Sequence, residues 1–393
     1  MLDAPLVAAR PRPRRGPLQA WHWLVVYFGA WTLAGGAALC LSEPTSTMTP
    51  GEAFFLALMC VTCTGFSTVP LDALNARSYC ILAVLMQAGA APLIALVPAL
   101  SRLRKLRQQA RSEDDEERAA LRLLVGVVVG YQAVVCGVCA CCMRLVADED
   151  TAYEHGPASA GVNAWAWSAW TALSSFTNCG LTLQPGSWTR FRSARGALAF
   201  VAGTSFLGNA LYPACLRWIL VWLSSRRRGG GRARYLLLRG QAVYPSLFLS
   251  QQTWLLVATQ VVLVLLQVAA TLSLSWRDGG YEGAAYGRRV GLATFEAINS
   301  RHAGGTTFDL GRVTGGTLLI ILMNMALAPV PYVVVLKTDR ARRRRQRLRS
   351  GDPSVDRNAS RDGPERFASR DDPRRYERRR TPPPRDDDAA ADD

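Results

Sequence analysis

Three short polar motifs, each built around a glycine, are the part of this sequence best suited to bind a ligand. In chain order they are Thr62–Thr68 (TCTGFST), Thr177–Thr182 (TNCGLT) and Arg301–Thr307 (RHAGGTT). In each one, a serine or threonine follows the central glycine after one intervening residue. The glycines, Gly65, Gly180 and Gly304, are 115 and 124 residues apart. Recurrence at such similar spacing predicts an internal repeat.

The backbone carbonyl oxygens of such loops are suitable ligands for a monovalent cation. At membrane depth, rings of carbonyl oxygens replace the hydration shell of the ion. Glycine suits the narrowest point because it has no side chain to block the path and because it readily adopts a positive φ. One such motif alone would favour a simple turn between two amphipathic helices. Three in register favour a pore.

The chain around these motifs has the composition of a membrane protein. Six windows contain no Asp, Glu, Lys or Arg and are long enough to cross a bilayer, which takes about 20 residues. They are Trp21–Ser42, Tyr79–Leu100, Leu123–Met143, Gly196–Leu216, Ser250–Trp276 and Val313–Leu336. The motifs follow the first, third and fifth windows, each after a moderately apolar segment too broken to span. We therefore expect an all-α polytopic membrane protein with repeated units of span, half-helix, loop and span.

Arginine clusters predict the orientation of these spans. The formal net charge of +16 lies mostly in arginines beside alternate ends of the windows, near residues 10–15, 102–111, 226–234 and 342–345. The positive-inside rule places all four segments, and both termini, in the cytoplasm. We expect a multi-pass protein of the plasma membrane. Nucleic-acid binding is the alternative for these arginines, and their juxtamembrane position disfavours it.

No enzyme, cofactor or resident metal is expected. Four cysteines, Cys136, Cys139, Cys141 and Cys142, crowd one predicted span, but they lack the paired CxxC spacing with histidine that is typical of a zinc site. The glycine run 229–231 follows no strand, so it does not predict a phosphate-binding loop. Transported sodium and potassium ions are the only expected ligands besides the lipid bilayer.

At this point the sequence resembles a known family, the plant-type high-affinity potassium/sodium transporters (HKT). They belong to a superfamily with the bacterial Trk and Ktr potassium-uptake subunits. The resemblance rests on Phe176–Gly180 (FTNCG), Leu207–Pro213 (LGNALYP), Leu216–Trp218 (LRW) and Asn299–Gly304 (NSRHAG), and it covers about residues 20–337. It implies four span–loop–span repeats around one pseudo-fourfold pore, with one filter position in each loop.

The resemblance also implies roles for individual residues. The filter positions are Gly65, Gly180 and Gly304. The residues that flank the filter are Cys63, Thr64, Asn178, Cys179, His302 and Ala303, and those that support it are Asn209, Asn299, Ser300 and Arg301. Arg301 and His302 are expected to hold their loop by hydrogen bonds to neighbouring carbonyls. Glycine rather than serine at position 65 implies that potassium permeates alongside sodium.

The sequence departs from the family pattern in two places. Gly305 stands where the family usually has glutamate, whereas an acidic residue, Glu296, lies upstream in the third predicted half-helix. Glu296 would either face water at the outer mouth or act as a functional carboxylate inside the membrane. No fourth repeat is found, so the open side of the pore is expected to be closed by a complete four-repeat relative, by a second copy of the chain, or not at all.

These observations divide the chain into segments and leave more than one function open. We predict repeat A at 21–100, repeat B at 122–223 and repeat C at 250–336. Between and around them lie cytoplasmic segments at 1–20, 101–121 and 224–249, and a disordered charged tail at 337–393. The expected function is transport of sodium and potassium ions. The alternatives are a non-conducting or regulatory membrane subunit and a bacterial-type potassium-uptake subunit.

Overall fold

The computed structural model describes most of the chain between residues 17 and 335. The described ranges are 17–109, 115–149, 153, 161–184, 186–226, 230–239, 244–274, 281, 285–309, 311, 313–327 and 330–335. Residues up to Val333 form one compact unit, and the fold described below belongs to it. The predicted charged tail and the arginine clusters near residues 10–15 and 342–345 lie outside the described residues, as do residues 227–229.

The described residues form helices joined by turns, with no strand among them. In chain order the helices are α1 (Pro17–Ser42), α2 (Pro50–Val61), α3 (Ala76–Gly89), α4 (Ala91–Gln109), α5 (Asp115–Glu149), α6 (Ala164–Thr177), α7 (Arg195–Ser205), α8 (Tyr212–Ser224), α9 (Gly230–Arg239), α10 (Ser250–Leu274), α11 (Tyr286–Asn299) and α12 (Gly315–Leu327). A π-helical turn, Phe206–Ala210, joins α7 to α8.

One arrangement occurs three times among these helices. A long helix leads to a short one, and after a loop a third helix packs against the pair: α1, α2 and α3, then α5, α6 and α7, then α10, α11 and α12. The units also pack on one another in chain order, through α3 against α6 and α7 against α11. The prediction of an all-helical membrane fold built from span–loop–span units is confirmed.

The six predicted spans differ in their straightness. Four helices are individually long and apolar enough to cross a membrane, starting at His22, Asp115, Ser250 and Gly315. The other two predicted spans are pairs of helices bent by 65° and 76°. The first pair breaks at Ala90, whose extended backbone ends α3. At the second break, Pro213 is the second residue of α8 and has no amide hydrogen with which to continue the preceding helix.

The polarity of the spans is inverted relative to a soluble protein. On α10, large apolar side chains such as Trp254 and Leu265 are more than 60% exposed, whereas Gln260 and Gln267 are buried. Val134 on α5 is similarly exposed. Lipid accepts the apolar surface, while polar side chains inside a membrane face the interior of the bundle. The exposed apolar surface is therefore the face that contacts lipid.

The close approach of α3 to α2 in the first repeat depends on Gly89, the last residue of α3. A Cβ at this position would overlap the backbone carbonyl of Val61, at the end of α2. We expect Gly89→Ala to destabilise the protein by about 1–3 kcal/mol, the usual cost of overpacking. Gly126→Ala is the matched control because a Cβ there meets no atom within 4 Å. Thermal unfolding of the purified protein in detergent measures both, and equal melting temperatures for the two variants would contradict the prediction.

Candidate functional site

Three short helices, α2, α6 and α11, deliver the chain to the predicted filter loops. They have 12, 14 and 14 residues, so each is about 18–21 Å long and too short to cross a bilayer. The first two begin with side-chain caps: Thr49 and Glu52 form a capping box on α2, and Asn163 accepts from the amide of Trp165 on α6. These caps satisfy backbone amides in the first turns of α2 and α6, where the helix itself offers no acceptor.

After each half-helix, the chain turns through left-handed backbone at the predicted filter glycine. We name the motifs loop A (Thr62–Thr68), loop B (Thr177–Thr182) and loop C (Arg301–Thr307). Gly65, Gly180 and Gly304 have φ values of 74°, 76° and 68°. In this region a Cβ approaches the following carbonyl, so glycine is favoured. Sequence reasoning anticipated the positive φ at all three positions.

Two loops share a second left-handed residue that the sequence did not reveal. Cys63 and Asn178, each two positions before the glycine, have φ values of 52° and 58°. Asparagine tolerates this conformation through local hydrogen bonds, but for cysteine it is uncommon. The Sγ atom of Cys63 lies 3.8 Å from the carbonyl oxygen of Met86 on α3. The surrounding packing therefore holds Cys63 in its turn.

The amides of the three loops point back toward the ends of their half-helices. In loop A, the amides of Thr64 and Gly65 both donate to Met59 O, at 2.9 and 3.4 Å. Loop B repeats the pattern, with Cys179 and Gly180 donating to Ser174 O at 3.0 and 3.5 Å. In loop C the amide of Gly304 donates to Asn299 O at 2.6 Å. These donors are thus used internally, whereas the carbonyl oxygens of Cys179 and Ala303 accept no hydrogen bond from the described residues.

The loops meet one another through direct backbone contact. A Cβ on Gly65 would overlap the carbonyl oxygen of Cys179, and a Cβ on Gly180 would overlap that of Ala303. Each of these carbonyls belongs to the residue just before the next filter glycine. Loops A, B and C are therefore adjacent members of one ring, in chain order. Gly304 differs, since a Cβ there would meet nothing within 4 Å among the described residues.

The π turn after α7 connects loops B and C. With its amide group oriented to match its neighbours, Asn178 donates to Ser205 O at 3.1 Å and accepts from Asn209 Nδ2 at 3.0 Å. The hydroxyl of Ser205 donates to Asn299 Oδ1 at 3.4 Å. Gly208 lets the turn press against Phe176 O, where a Cβ would not fit. These bonds link the predicted supporting residues Asn209 and Asn299 through Asn178 and Ser205. Sequence reasoning missed Ser205.

Arg301 is buried and His302 is half-buried next to the ring, but their contacts differ from the expectation. Arg301 Nη2 donates to the side-chain oxygen of Gln260 on α10, at 2.9 Å, and its Nε and Nη1 atoms have no hydrogen-bond partner among the described residues. The ring of His302 packs against Phe206, with ring centroids 5.9 Å apart. Among the described residues, the expected hydrogen bond from Arg301 to a loop carbonyl is therefore wrong, and the Nε2 atom of His302 makes no hydrogen bond. Ser300 accepts from Asn324 Nδ2 at 3.3 Å, which ties α11 to α12.

The remaining flanking residues and Glu296 have well-defined positions. The hydroxyl of Thr64 shares a hydrogen bond with the hydroxyl of Thr62, at 2.7 Å. Cys179, within loop B, is buried. Glu296 is only 3% exposed, so its expected alternative position, facing water, is wrong. Within the described part of the chain, no group of three His, Cys, Asp or Glu side chains could hold a metal ion.

Comparisons with known proteins agree with this geometry. The family model TrkH, described as cation transport protein, matches residues 101–350. The rice cation transporter HKT1;3 is 30% identical over 168 residues, which are 42% of this chain and 32% of that protein. The rice protein named "Probable cation transporter HKT1;4" is 25% identical over 78% of this chain and 70% of its own length. The matched part of the chain thus spans about a third of HKT1;3 and 70% of HKT1;4.

A solved structure has the same fold. The crystal structure of the potassium transporter TrkH from Vibrio parahaemolyticus aligns with a TM-score of 0.51 and 16% identity. The alignment covers 80% of this chain and 57% of that one. At this identity the likeness concerns the fold alone.

The contacts of the filter glycines predict unequal tolerance to alanine. At all three positions alanine meets the left-handed strain of about 1–2 kcal/mol. Gly65→Ala and Gly180→Ala also force the next loop's carbonyl to move, whereas Gly304→Ala does not. We expect clearly lower melting temperatures for the first two variants than for the third. Three equal losses, measured on purified protein, would contradict the direct loop-to-loop contact.

Proposed function

Since this chain belongs to the TrkH family of cation transport proteins, we propose that it moves sodium and potassium ions across a membrane through the ring of loops A, B and C. The observation that carries the proposal is the pair of contacts between a filter glycine and the next loop's carbonyl, Gly65 with Cys179 and Gly180 with Ala303. No covalent chemistry is needed, because the transported ion exchanges water ligands for carbonyl ligands and back.

The physical basis of this function is the separation of donors from acceptors. The loop amides bind the last carbonyls of their half-helices, so they do not face the ion. The carbonyl oxygens of Cys179 and Ala303 accept no hydrogen bond from the described residues. Oxygen dipoles with no competing protein donor are suitable ligands for Na⁺ and K⁺, and glycine beside them keeps the path clear.

A second candidate function, a subunit that does not conduct alone, is favoured by the open side at Gly304. If the ring were complete, Gly304 would meet a carbonyl as Gly65 and Gly180 do. Loop backbone without polar partners is costly at membrane depth, several kcal/mol for each unsatisfied group. In this alternative, a second copy of the chain or a complete relative covers that side. Flux from purified monomers in liposomes, compared with flux after co-reconstitution with a complete relative, separates the two candidates.

The proposed location is the plasma membrane, with the arginine-rich ends of the spans in the cytoplasm. Among the described residues, Arg104 and Arg107 of α4 and Arg232 and Arg234 of α9 are exposed near the ends of spans. Arg102 pairs with Glu117 at 2.8 Å, which links α4 to α5 on the same side. This distribution supports the positive-inside orientation. Accessibility of engineered cysteines at positions 104 and 234 to membrane-impermeant reagents tests it.

Gly180→Arg tests the transport proposal directly. The side chain would place bulk and positive charge in the path of a cation, so we expect flux to be abolished. Radioactive rubidium or sodium uptake into cells that express the protein measures this. Surface labelling serves as the control, since loss of protein from the membrane would indicate misfolding. Flux at the wild-type level, with the variant present at the surface, would refute the filter assignment.

Gly65→Ser tests the proposed potassium permeability. A serine side chain meets the carbonyl of Cys179, so it must displace that ligand and narrow the ring. We expect a lower ratio of potassium to sodium permeability, measured from reversal potentials in mixed solutions. Gly126→Ser is the matched control, because Gly126 lies on α5 outside the loops and a Cβ there meets no atom within 4 Å. A conducting Gly65→Ser variant with an unchanged ratio would remove Gly65 from the filter.

A further inference from the structure

The carboxylate of Glu296 connects the third half-helix to the segment that leaves the filter. It projects from α11 and is buried, with 3% of its surface exposed. Its Oε1 atom accepts hydrogen bonds from the amide of Thr307 at 2.6 Å and from the hydroxyl of Thr307 at 2.7 Å. Thr307 lies three residues after Gly304. One carboxylate oxygen therefore fixes the end of loop C to its own half-helix.

The neighbouring loop holds the same segment from the other side. The amide of Trp188, in the chain that follows loop B, donates to Thr306 O at 2.9 Å. The amide of Thr306 in turn donates to Ser187 Oγ at 3.1 Å. Gly305 packs against the indole of Trp188, where a Cβ would lie 2.8 Å from Cδ1. Residues 305–307 are thus clamped between Glu296 and the Ser187–Trp188 segment.

Loop B is held by different chemistry. There, Ser174 Oγ and Trp170 Nε1 both donate to Leu181 O, at 2.8 and 2.9 Å. The half-helix of repeat B offers two side-chain donors to a loop carbonyl, whereas in repeat C both hydrogen bonds from Thr307 end on one oxygen of Glu296. Loop C therefore depends on a single side chain more than loop B does.

We propose that Glu296 is a positioning residue for the filter, which fixes loop C and so sets the spacing between the carbonyl of Ala303 and Gly180. This inference rests on the proposed transport function. The segment Ala303–Thr307 is continuous, so release of Thr307 leaves the Ser187–Trp188 contacts of Thr306 as the remaining constraint on the backbone that carries the Ala303 carbonyl. Glu296 itself does not touch the ion; it acts through Thr307.

The test compares Glu296→Ala with Glu296→Gln. Glutamine keeps an acceptor oxygen for Thr307, and its amide nitrogen takes the place of Oε2, an atom with no hydrogen-bond partner among the described residues. Alanine removes the acceptor. We expect Glu296→Ala to change the potassium-to-sodium permeability ratio roughly tenfold, since the two hydrogen bonds that it removes are together worth about that factor in an equilibrium. Glu296→Gln should stay close to the wild-type ratio.

Glu43 provides the matched control. Its Oε1 atom accepts from the amide of Asn75 at 2.7 Å and from the hydroxyl of Ser78 at 2.6 Å, which is the same bonding pattern at the start of α3. Glu43→Ala should lower the melting temperature without changing the permeability ratio. If Glu296→Ala is not recovered at the surface, Thr307→Val replaces it. That variant keeps the amide bond, loses the hydroxyl bond, and should change the ratio roughly fivefold in the same direction.

The outcomes separate this inference from the proposed function. Absence of cation flux from the wild-type protein, alone or with a partner chain, would overturn the proposed function. Flux with a wild-type ratio in conducting Glu296→Ala, or in conducting Thr307→Val, would overturn only the positioning role. An equal change in Glu296→Gln and Glu296→Ala would also overturn it, because the effect would then follow the charge rather than the hydrogen bonds.

Discussion

The architecture depends on one contact, a glycine in left-handed conformation pressed against the carbonyl of the adjacent loop. This contact occurs at Gly65 and at Gly180, and any Cβ would prevent it. Loop backbones packed this closely must be supported on both sides, because irregular backbone is tolerated at membrane depth only inside protein or beside a water-filled cavity. The half-helices provide one support through their terminal carbonyls, and the spans behind them provide the other.

The membrane explains why this support is polar in the interior and apolar outside. Lipid offers no hydrogen bonds, so the polar groups that hold the loops are gathered within the bundle. Gln260 reaches Arg301, and Asn324 reaches Ser300, from spans whose other faces carry exposed leucine and valine. A soluble fold would put such groups on its surface. Here the buried polar residues of α10 and α12 are part of the scaffold of the loops.

The left-handed backbone at the glycines and the positions of the spans were predictable from the sequence because both depend on local composition. A window with no charged residue predicts a span, and a glycine in a polar motif predicts left-handed backbone. The bends near Ala90 and Leu211 were not predictable in this way, since hydropathy does not report direction. The role of Ser205 was also hidden, because a single serine has no pattern and acquires its function only when α7 packs beside α11. The burial of Glu296 depends in the same way on tertiary contacts.

The three loops reach a similar backbone conformation by different means, and this has a consequence for selectivity. All three loops direct two amides to one carbonyl of their half-helix, but loops A and B add a second left-handed residue, whereas loop C adds the carboxylate of Glu296. A ring with unequal supports does not deform equally when an ion of another radius enters it. In the proposed transporter, the preference of the ring for one ion over another therefore depends on how far each loop yields. The contacts that fix loop C, between Glu296 and Thr307 and between Ser187 and Thr306, contribute to that response, while Gly304 leaves the other side of the loop open.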